Sequence, residues 1–391
     1  MTPAKPSLDL LRSLTDEHVL RALMADRRLT RAEIAVRTQL SKPAVSDSVQ
    51  RLTEARLLQD TGERTTGRGR VGTYYALADD LGAALVLSVA PEGVVAEAID
   101  VYGEVIMRET APVRRPARPR EVARVMRTVA TRVAEGCRGH LRLAVVSAAD
   151  PVDRSTGRLV HLPDAPFLLG ELSPVELLAP LVSGPVTVDN DVHWAARAEL
   201  ASPDGDHPAD FVYLYLGEGL GAAVVADGEV RRGHAGIAGE IAYVVTRGPR
   251  GRATTYGDVF AELGLRQPNS TAIDGAALVQ SIEAGGARGR RVLTAIADAT
   301  AGVVAAVVAL ADPAILILGG TWGTHPAVVD AISRHVAAAP RPVPVRVAQL
   351  TFEPAVTGAR HQALKDLRES VLGGRRTAAA SRLDRDQRCV H

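Results

Sequence analysis

Cysteine, aromatic residues and long apolar runs are scarce in this chain of 391 residues. Its two cysteines, Cys137 and Cys389, are too few for a disulfide framework or a cysteine-rich zinc site, and they fit a reducing cytoplasm. The N-terminus has no apolar core of a signal peptide, and the longest apolar run, at 301–311, is too short to span a bilayer. We therefore expect a cytoplasmic protein that does not enter a membrane.

The charge is unevenly distributed, although the formal net charge is only +1. Residues 1–75 carry 13 Lys and Arg against 9 Asp and Glu, a net charge of +4, and the remainder carries a net charge of −3. Contact with DNA phosphates requires basic charge concentrated in one region. Because the length suits two or three domains, this distribution predicts a small basic head in front of a larger body.

The segment 30–58 predicts a helix-turn-helix. Thr30 and Glu33 have the spacing of a capping box, and Ser41 suits the N-cap of a second helix, whose first turn tolerates Pro43. Apolar residues at i, i+4 and i+7 then predict one buried stripe, formed by Val45, Val49 and Leu52. Residues off this stripe lie where a recognition helix enters the major groove. We predict DNA contacts at Ser41, Lys42, Pro43, Ser46, Asp47, Gln50 and Arg51.

A stretch rich in glycine and arginine, at 59–77, predicts a two-stranded wing beside the second helix. Arginine on such a loop suits a narrow, electronegative minor groove. The predicted DNA contacts of the wing are Arg64, Arg68 and Arg70. The alternative interpretation is a small helical pair with a solvated polar face, followed by an ordinary charged hairpin.

From Leu81 onward, predicted strands and helices alternate. The strands fall at 84–90, 94–103, 143–148, 186–191, 213–217, 222–228 and 315–320, and the helices at 120–136, 194–200, 276–284 and 292–310. This alternation favours α/β layers with largely parallel sheets. The tail at 373–391 is rich in Arg, Ala, Ser and Asp, and we predict that it is disordered.

Several landmarks along the chain carry a family resemblance. They are the helix-turn-helix followed by GRGR (67–70), DPVDRSTGRLVHLPDAPF (150–167), VDNDVHWAARAEL (188–200), LGEGLGAAVVADGEVRRGHAGIAGEI (216–241) and ILGG (317–320). In this order and spacing they resemble the ROK family of repressors, open reading frames and kinases, over about 18–372. The head resembles that of the family's xylose- and N-acetylglucosamine-type repressors.

The resemblance implies a mainly α winged helix-turn-helix followed by an α/β, actin/hexokinase-like ROK domain of two lobes with a cleft between them. We place the head at 1–78, the first lobe at 79–190 and the second lobe at 191–354. A C-terminal helix at about 355–372 is expected to pack back on the first lobe. The implied partners are a double-stranded DNA operator, a sugar effector and further copies of the chain, as a homodimer or homotetramer.

Both phosphate loops depart from the pattern of the family's kinases. The hairpin SVAPEGVV (88–95) lacks the Asp and the paired glycines, Pro91 removes a backbone donor, and Glu92 adds a negative charge. In the second loop, Glu218 stands where the family usually carries Thr. Because both carboxylates repel phosphate, we interpret phosphoryl transfer as lost and assign no catalytic residue.

The sugar pocket is partly retained by this resemblance. Asn190 and Asp191 match the motif whose Asp is the catalytic base of the family's kinases, and Glu240 matches a sugar-contacting Glu. Tyr243 replaces a zinc-ligand His, and GPRGRATTYGDVF (248–260) holds no Cys, so we expect no metal ion and no cofactor. The family's Gly-x-Pro-Gly is replaced by Ser147, Ala148, Ala149 and Asp150. The predicted sugar-binding residues are Asp164, Asn190, Asp191, Glu240 and Tyr243.

Simpler roles stay open for three of these residues. Asp191 suits a helix cap, Glu240 a surface carboxylate, and Tyr243 core packing. Three functions likewise stay open. The first is a DNA-binding transcription regulator, a repressor, whose inactive ROK domain senses a sugar. The second is a sugar kinase with an appended head, and the third is a regulator whose large domain has lost its ligand.

Overall fold

The computed structural model describes residues 8–66, 71–137, 139–163, 166–168, 170–202 and 207–388, with side chains described between 11 and 373 of these ranges. Arg68, Arg70 and Asp164, three of the predicted contact residues, lie outside the described residues.

The head is a winged helix-turn-helix, as predicted. Its elements are α1 (Leu8–Asp26), β1 (Arg28–Thr30), α2 (Arg31–Thr38), α3 (Lys42–Glu54), β2 (Leu58–Arg64) and β3 (Thr73–Leu77). The strands form an antiparallel sheet in the order β1-β3-β2. The capping box is confirmed: the backbone N–H of Thr30 donates to Glu33 Oε2 at 2.7 Å, and that of Glu33 donates to Thr30 Oγ1 at 3.3 Å. Ser41 caps α3, and the predicted stripe is fully buried.

The first lobe contains a five-stranded mixed sheet. Its elements are β4 (Ala83–Ala90), β5 (Gly93–Ile99), β6 (Val105–Ala111), α4 (Pro119–Gly136), β7 (Leu141–Ala148), α5 (Pro174–Leu178), β8 (Val186–Asn190) and α6 (Asp191–Leu200). The strand order is β6-β5-β4-β7-β8. Strands β4, β5 and β6 are antiparallel neighbours, whereas β7 and β8 run parallel to β4.

The second lobe repeats this arrangement. Its elements are β9 (Phe211–Leu216), β10 (Leu220–Ala226), β11 (Glu229–Val230), β12 (Val245–Arg247), β13 (Ala253–Thr255), α7 (Tyr256–Glu262), α8 (Gly275–Glu283), α9 (Gly286–Ala311), β14 (Ile315–Gly319), α10 (Pro326–Ala337) and β15 (Val345–Val347). The C-terminal helix α11 (Pro354–Arg388) follows β15 and returns to the first lobe. The order β11-β10-β9-β14-β15 again combines an antiparallel meander with two parallel strands. The expectation of largely parallel sheets was therefore wrong. Successive strands of each meander are joined by short turns, and a short turn can connect only antiparallel strands.

Helix α6 lies between the two sheets and begins at Asp191, directly after the predicted lobe boundary at 190/191. Its Trp194 is buried among side chains of the first sheet, and the indole N–H donates to the carbonyl of Val146 at 3.0 Å. On its other side, Val192, Ala195 and Ala196 pack against the second sheet. The first residues of α6 therefore contact both lobes.

Helix α11 packs on the first sheet and also reaches the head. Its apolar side chains belong to the same buried cluster as those of α1, α3 and the first sheet. At the junction, the Arg368 guanidinium donates to the carbonyl of Val101 at 3.0 Å and to that of Met24 at 3.4 Å. The core of the head is therefore continuous with the core of the first lobe.

Two helical segments differ from simple sequence expectations. Helix α11 continues to Arg388, and so includes most of the tail predicted to be disordered. The run of Ala and Arg in that tail has high helix propensity and contains no proline, which favours extension of the helix. Helix α9 is long and apolar enough to cross a membrane by length and composition alone. Half of its most apolar window is buried, with Val292, Ile296 and Val303 in the core of the second lobe.

A buried ion-pair network ties α11 to the edge of the first sheet. Glu97 is completely buried, and it accepts hydrogen bonds from the guanidinium groups of Arg108 and Arg360, the latter at 2.8 Å. We expect Glu97→Gln to lower the free energy of unfolding by about 3 kcal/mol, because it leaves two arginines without their buried counter-ion. Denaturant unfolding measures this loss. Glu353→Gln is the control, since this carboxylate contacts the same arginines but is partly exposed. An equal loss in both variants would contradict the argument.

Candidate functional site

The recognition helix presents a polar face to solvent. Ser41, Lys42, Pro43, Asp47 and Gln50 are exposed, whereas Ser46 is half-buried. The Gln50 amide donates to Glu54 Oε1 at 3.0 Å along the same face. The sharp turn before α3 depends on Gln39, which adopts φ +57° at the C-cap of α2. These positions agree with the predicted docking of α3 in a major groove, and the DNA contacts themselves stay a prediction.

Arg51 is placed differently from the expectation that it meets DNA. Its guanidinium pairs at 2.7 Å with Asp16 of α1, a carboxylate that is 2% exposed and also accepts from the Ser48 hydroxyl. A buried carboxylate needs a charged or hydrogen-bonding partner, so Arg51 holds α3 onto α1. In the wing, Arg64 pairs with Asp60 at 2.9 Å, with both side chains largely exposed. Such a pair is weak and leaves Arg64 able to turn toward a phosphate.

A cavity of about 850 Å³ lies between the two lobes. It is bounded by the β4–β5 and β9–β10 turns, by the residues that follow β7 and β8, and by the end of β14. Four of the predicted sugar-binding residues line it, namely Asn190, Asp191, Glu240 and Tyr243. The structure thus brings together side chains that are separated by 53 positions in the sequence.

Asn190, and not Asp191, is the cap of α6. Its side-chain oxygen accepts from the backbone N–H of Val192 at 2.9 Å, and its amide reaches the carbonyls of Ala148 and Asp150 at 3.4 and 3.3 Å. Asp191 also accepts from Val192, at 2.8 Å, while its carboxylate lines the cavity. Asn190 therefore joins the ends of β7 and β8 and leaves Asp191 facing the cleft.

A glycine turn sets the position of Glu240. Gly239 has φ +97°, and a Cβ atom there would lie 1.9 Å from the carbonyl oxygen of Ala222, so only glycine is accommodated. The Gly239 carbonyl in turn accepts from the backbone N–H groups of Ala222 and Ile241 at 2.8 and 2.7 Å. Because this turn is pinned to β10, the half-buried Glu240 is directed into the cavity and is not a free surface carboxylate.

A buried network of ion pairs lies beside the loop that carries Gly239 and Glu240. Asp189 is 1% exposed and pairs with His193 at 2.9 Å, Arg197 at 2.7 Å and Arg232 at 3.1 Å. Burial alone would raise the pKa of Asp189, but these partners outweigh it and lower the pKa to about 2. His193 also contacts the carbonyl of Ala238 at 3.3 Å. The network therefore fixes β8, α6 and the glycine-rich loop relative to each other.

Asp150 belongs to the cavity, although it was noted in the sequence only as a departure from a family motif. It is 2% exposed and lines the cavity two residues after the end of β7, while Asp191 follows β8 directly. A carboxylate close to the end of a predicted parallel strand was the signal in the sequence, because adjacent parallel strands end at the same edge of a sheet.

Three cavity carboxyl groups have pKa values raised to about 7, namely Asp150, Asp191 and Glu240. Burial is the main cause in each case, because the charged form loses its solvation. Mutual repulsion adds to the effect, since Asp150 raises the pKa of both Asp191 and Glu240. At neutral pH these three groups are therefore only partly ionised, and the cavity carries less negative charge than three carboxylates would give it.

This shift predicts a pH dependence of stability. The folded chain binds more protons than the unfolded chain between about pH 4 and 7, so the free energy of unfolding falls as the pH rises through this window and is constant above it. We expect Asp150→Asn to make that decline shallower, as measured by melting temperatures from about pH 5.5 to 8. Asp258→Asn, at a cavity acid paired with Arg266 at 3.1 Å, should keep the wild-type slope. Parallel curves for all three proteins would contradict the prediction.

Glu92 and Glu218, in the two loops that the resemblance equates with phosphate loops, both line the cavity. Glu92 lies in the turn between β4 and β5, as the sequence predicted for that hairpin. Glu218 is bound by Arg115 of the first lobe, through N–O distances of 2.7 and 3.3 Å. This pair offsets part of the charge that we had assigned to Glu218 alone. It also bridges the lobes, as does the hydrogen bond from the Tyr243 hydroxyl to the carbonyl of Pro163.

Within the described ranges, no three His, Cys, Asp or Glu side chains are grouped so as to hold a metal ion. The segment 248–260, in which the sequence has no Cys, begins within the hairpin of β12 and β13 and continues into α7. Thr246 and Tyr256 anchor this hairpin to α9 through hydrogen bonds of 2.8 and 2.7 Å. Side-chain packing thus holds this segment in place.

Comparison with known proteins identifies both parts of the chain. The ROK family profile matches residues 98–365, more than half of the chain, and a winged helix-turn-helix DNA-binding profile matches residues 12–59. The chain therefore belongs to the ROK family. A winged helix-turn-helix joined to a ROK domain is an arrangement that supports a transcriptional regulator.

Solved structures share this fold. One is a ROK family transcriptional regulator, a homologue of the E. coli MLC protein, with 15% identity and a TM-score of 0.61 over 93% of this chain and 99% of the other. Another is a ROK family glucokinase from Streptomyces griseus in complex with glucose and AMPPNP, with 20% identity and a TM-score of 0.56 over 73% of this chain and 100% of the kinase. At these identities the likeness concerns the fold alone.

Curated relatives include both regulators and enzymes. The xylose repressor of Caldicellulosiruptor bescii is 22% identical over 60% of this chain and 59% of the repressor. The bifunctional enzyme NanE/NanK of Brucella melitensis is 30% identical over 38% of this chain and 29% of the enzyme. The chain spans 29% and 59% of the length of these two curated relatives.

Proposed function

We propose that this protein is a DNA-binding transcription regulator, a repressor, whose ROK domain binds a sugar or sugar derivative without phosphorylating it. The observation that carries the proposal is the exposed polar face of α3 in a winged helix-turn-helix whose core continues into the ROK domain. The protein acts in the cytoplasm on a double-stranded operator. A symmetric oligomer of this chain reads two half-sites about one helical turn apart.

Contacts along α6 and α11 support a route from the cavity to the head. Asp191 begins α6, Trp194 packs in the cluster shared with α11, and Arg368 of α11 contacts the carbonyl of Met24 in α1 at 3.4 Å. If a sugar binds one arrangement of the two lobes more tightly than another, its binding favours that arrangement and shifts the position of α6. That shift changes operator affinity, and reciprocity requires DNA to change sugar affinity by the same factor.

Fluorescence anisotropy on the DNA upstream of the protein's own gene tests this proposal. We expect tight binding that changes by at least about fivefold when the effector sugar is added from a panel of sugars and sugar phosphates. Asp191→Ala and Glu240→Ala should bind DNA normally and lose the response. DNA binding that is indifferent to every compound would overturn the sensor role and favour a large domain that has lost its ligand.

The second candidate function is a sugar kinase with an appended head, and the retained Asp191 favours it. Glu92, in the first phosphate loop, opposes it because a carboxylate at this position repels the γ-phosphate. We expect no sugar-dependent ADP release in a coupled assay with common hexoses. Turnover that disappears in Asp191→Asn would establish the kinase and overturn the proposal of an inactive domain.

A further inference from the structure

The cavity holds carboxylates without cationic partners. Three of its lining acids are paired with arginine: Glu218 with Arg115, Asp258 with Arg266, and Glu353 with Arg108 and Arg360. Across the described parts of the chain, no Lys, Arg or His nitrogen pairs with the other four lining acids, which are Glu92, Asp150, Asp191 and Glu240. The inner part of the cavity is therefore acidic and lacks a built-in counter-ion.

Among these four acids, Asp150 most clearly lacks hydrogen-bond donors in the described structure. Its side chain is 2% exposed, and its Oδ1 atom accepts only a long hydrogen bond of 3.4 Å from the backbone N–H of Leu168. Its Oδ2 atom is buried and has no donor among the described residues. A buried carboxylate oxygen without a donor is costly. The imidazole of His161 lowers the pKa of Asp150 through space, but burial outweighs this effect.

We propose that the cavity takes a ligand bearing a protonated amine, an amino sugar with a free ammonium group, and that Asp150 is its counter-ion. The inference rests on the proposed function, since it specifies which class of sugar the domain senses. An ammonium group has three donors and no acceptor, and so matches carboxylates that lack donors. Asp191 and Glu240 then accept from ring hydroxyls.

A neutral sugar leaves this requirement unmet. A hydroxyl at the same position supplies one weaker, uncharged donor, and an N-acetyl group also adds a carbonyl that faces a carboxylate. Charge-assisted hydrogen bonds are about twice as strong as neutral ones. We therefore expect the cavity to bind the amino sugar with higher affinity than the corresponding hydroxyl or N-acetyl sugar.

Calorimetric titration of the full-length protein tests this preference. The ligands are glucosamine, mannosamine and galactosamine, each with its hydroxyl and N-acetyl counterparts, at about pH 6.5, where an amine of ordinary pKa is protonated. We expect one of the amines to bind at least about tenfold more tightly than its counterparts. Asp150→Asn should remove this preference, whereas Asp258→Asn, at a lining acid that already has an arginine partner, should retain it.

A second measurement needs no variant, in case Asp150→Asn does not fold. A bound cation stabilises ionised carboxylates, so the amine should release protons from the cavity, which titrations in buffers of different ionisation enthalpy detect. The titratable groups facing this site are Glu92, Asp150, Asp191 and Glu240, with Tyr213, Tyr215, His161 and the Glu218–Arg115 pair beside them. A neutral sugar should release fewer protons.

The outcomes separate the two proposals. Tighter binding of a hydroxyl or N-acetyl sugar, or an amine preference that survives in a folded Asp150→Asn variant, would overturn the ammonium site and leave sugar sensing intact. Amine binding without proton release would also contradict it. Failure of every sugar to bind would overturn both the sensor role and this inference.

Discussion

Gly358→Ala is expected to destabilise the protein by about 2 kcal/mol, although alanine is the better helix former. A Cβ atom at Gly358 of α11 would lie 2.0 Å from the backbone carbonyl oxygen of Trp194 in α6. Neither backbone can move without separating the two helices, so the cost lies at the upper end of the range for overpacking, about 3 kcal/mol. The gain in helix propensity, about 1 kcal/mol, offsets only part of it. Thermal unfolding should show a melting temperature lower by roughly 5 °C.

The same helix offers a matched control. Gly373 also lies in α11, and a Cβ atom there would meet nothing within 4 Å. We expect Gly373→Ala to be neutral or to stabilise the protein by up to about 1 kcal/mol. Because α11 and α6 form the proposed route from cavity to head, Gly358→Ala should also weaken the effect of the sugar on DNA binding. A Gly358→Ala variant as stable as Gly373→Ala would show that the helices are not in close contact.

Lys42→Ala is expected to lower the affinity for the upstream DNA by about tenfold at moderate salt, because an exposed cation at the start of the recognition helix is lost. If Lys42 contacts one phosphate, the slope of log K against log salt concentration should also become shallower by about 0.9. Anisotropy titrations at several salt concentrations measure both quantities. Gln50→Ala, by contrast, should reduce discrimination between operator sequences and leave the salt slope unchanged.

Lys365→Ala controls for the loss of one positive charge. Lys365 is exposed on α11, outside the predicted DNA-binding face. Its removal should leave both affinity and salt slope close to those of the wild type, since long-range effects between exposed charges are screened. Equal behaviour of the two lysine variants would remove α3 from the proposed interface and leave only a general effect of net charge.

The sequence by itself determined the local features of the head. The capping box at Thr30 and Glu33, the N-cap at Ser41 and the buried stripe from Val45 to Leu52 are set by residues within one or two turns of each other. Their geometry follows from helix periodicity and backbone hydrogen bonding. For the same reason, the hairpin around Pro91 and Glu92 and the central strands of the two lobes were found in the sequence. The strands β6 and β15 at the sheet edges and the mixed strand direction were not.

Only the tertiary structure decided the contacts between distant segments. Arg51 had the position of a DNA contact in its own helix, but the buried Asp16 in α1 determines where its guanidinium lies. Glu218 was read as an isolated charge, and its partner Arg115 comes from the other lobe. Asp150 joined Asp191 and Glu240 because β7, β8 and the Gly239 turn end at one cavity. Local periodicity fixes which face of an element is buried, but burial and charge in the cleft depend on elements that meet only when the chain folds.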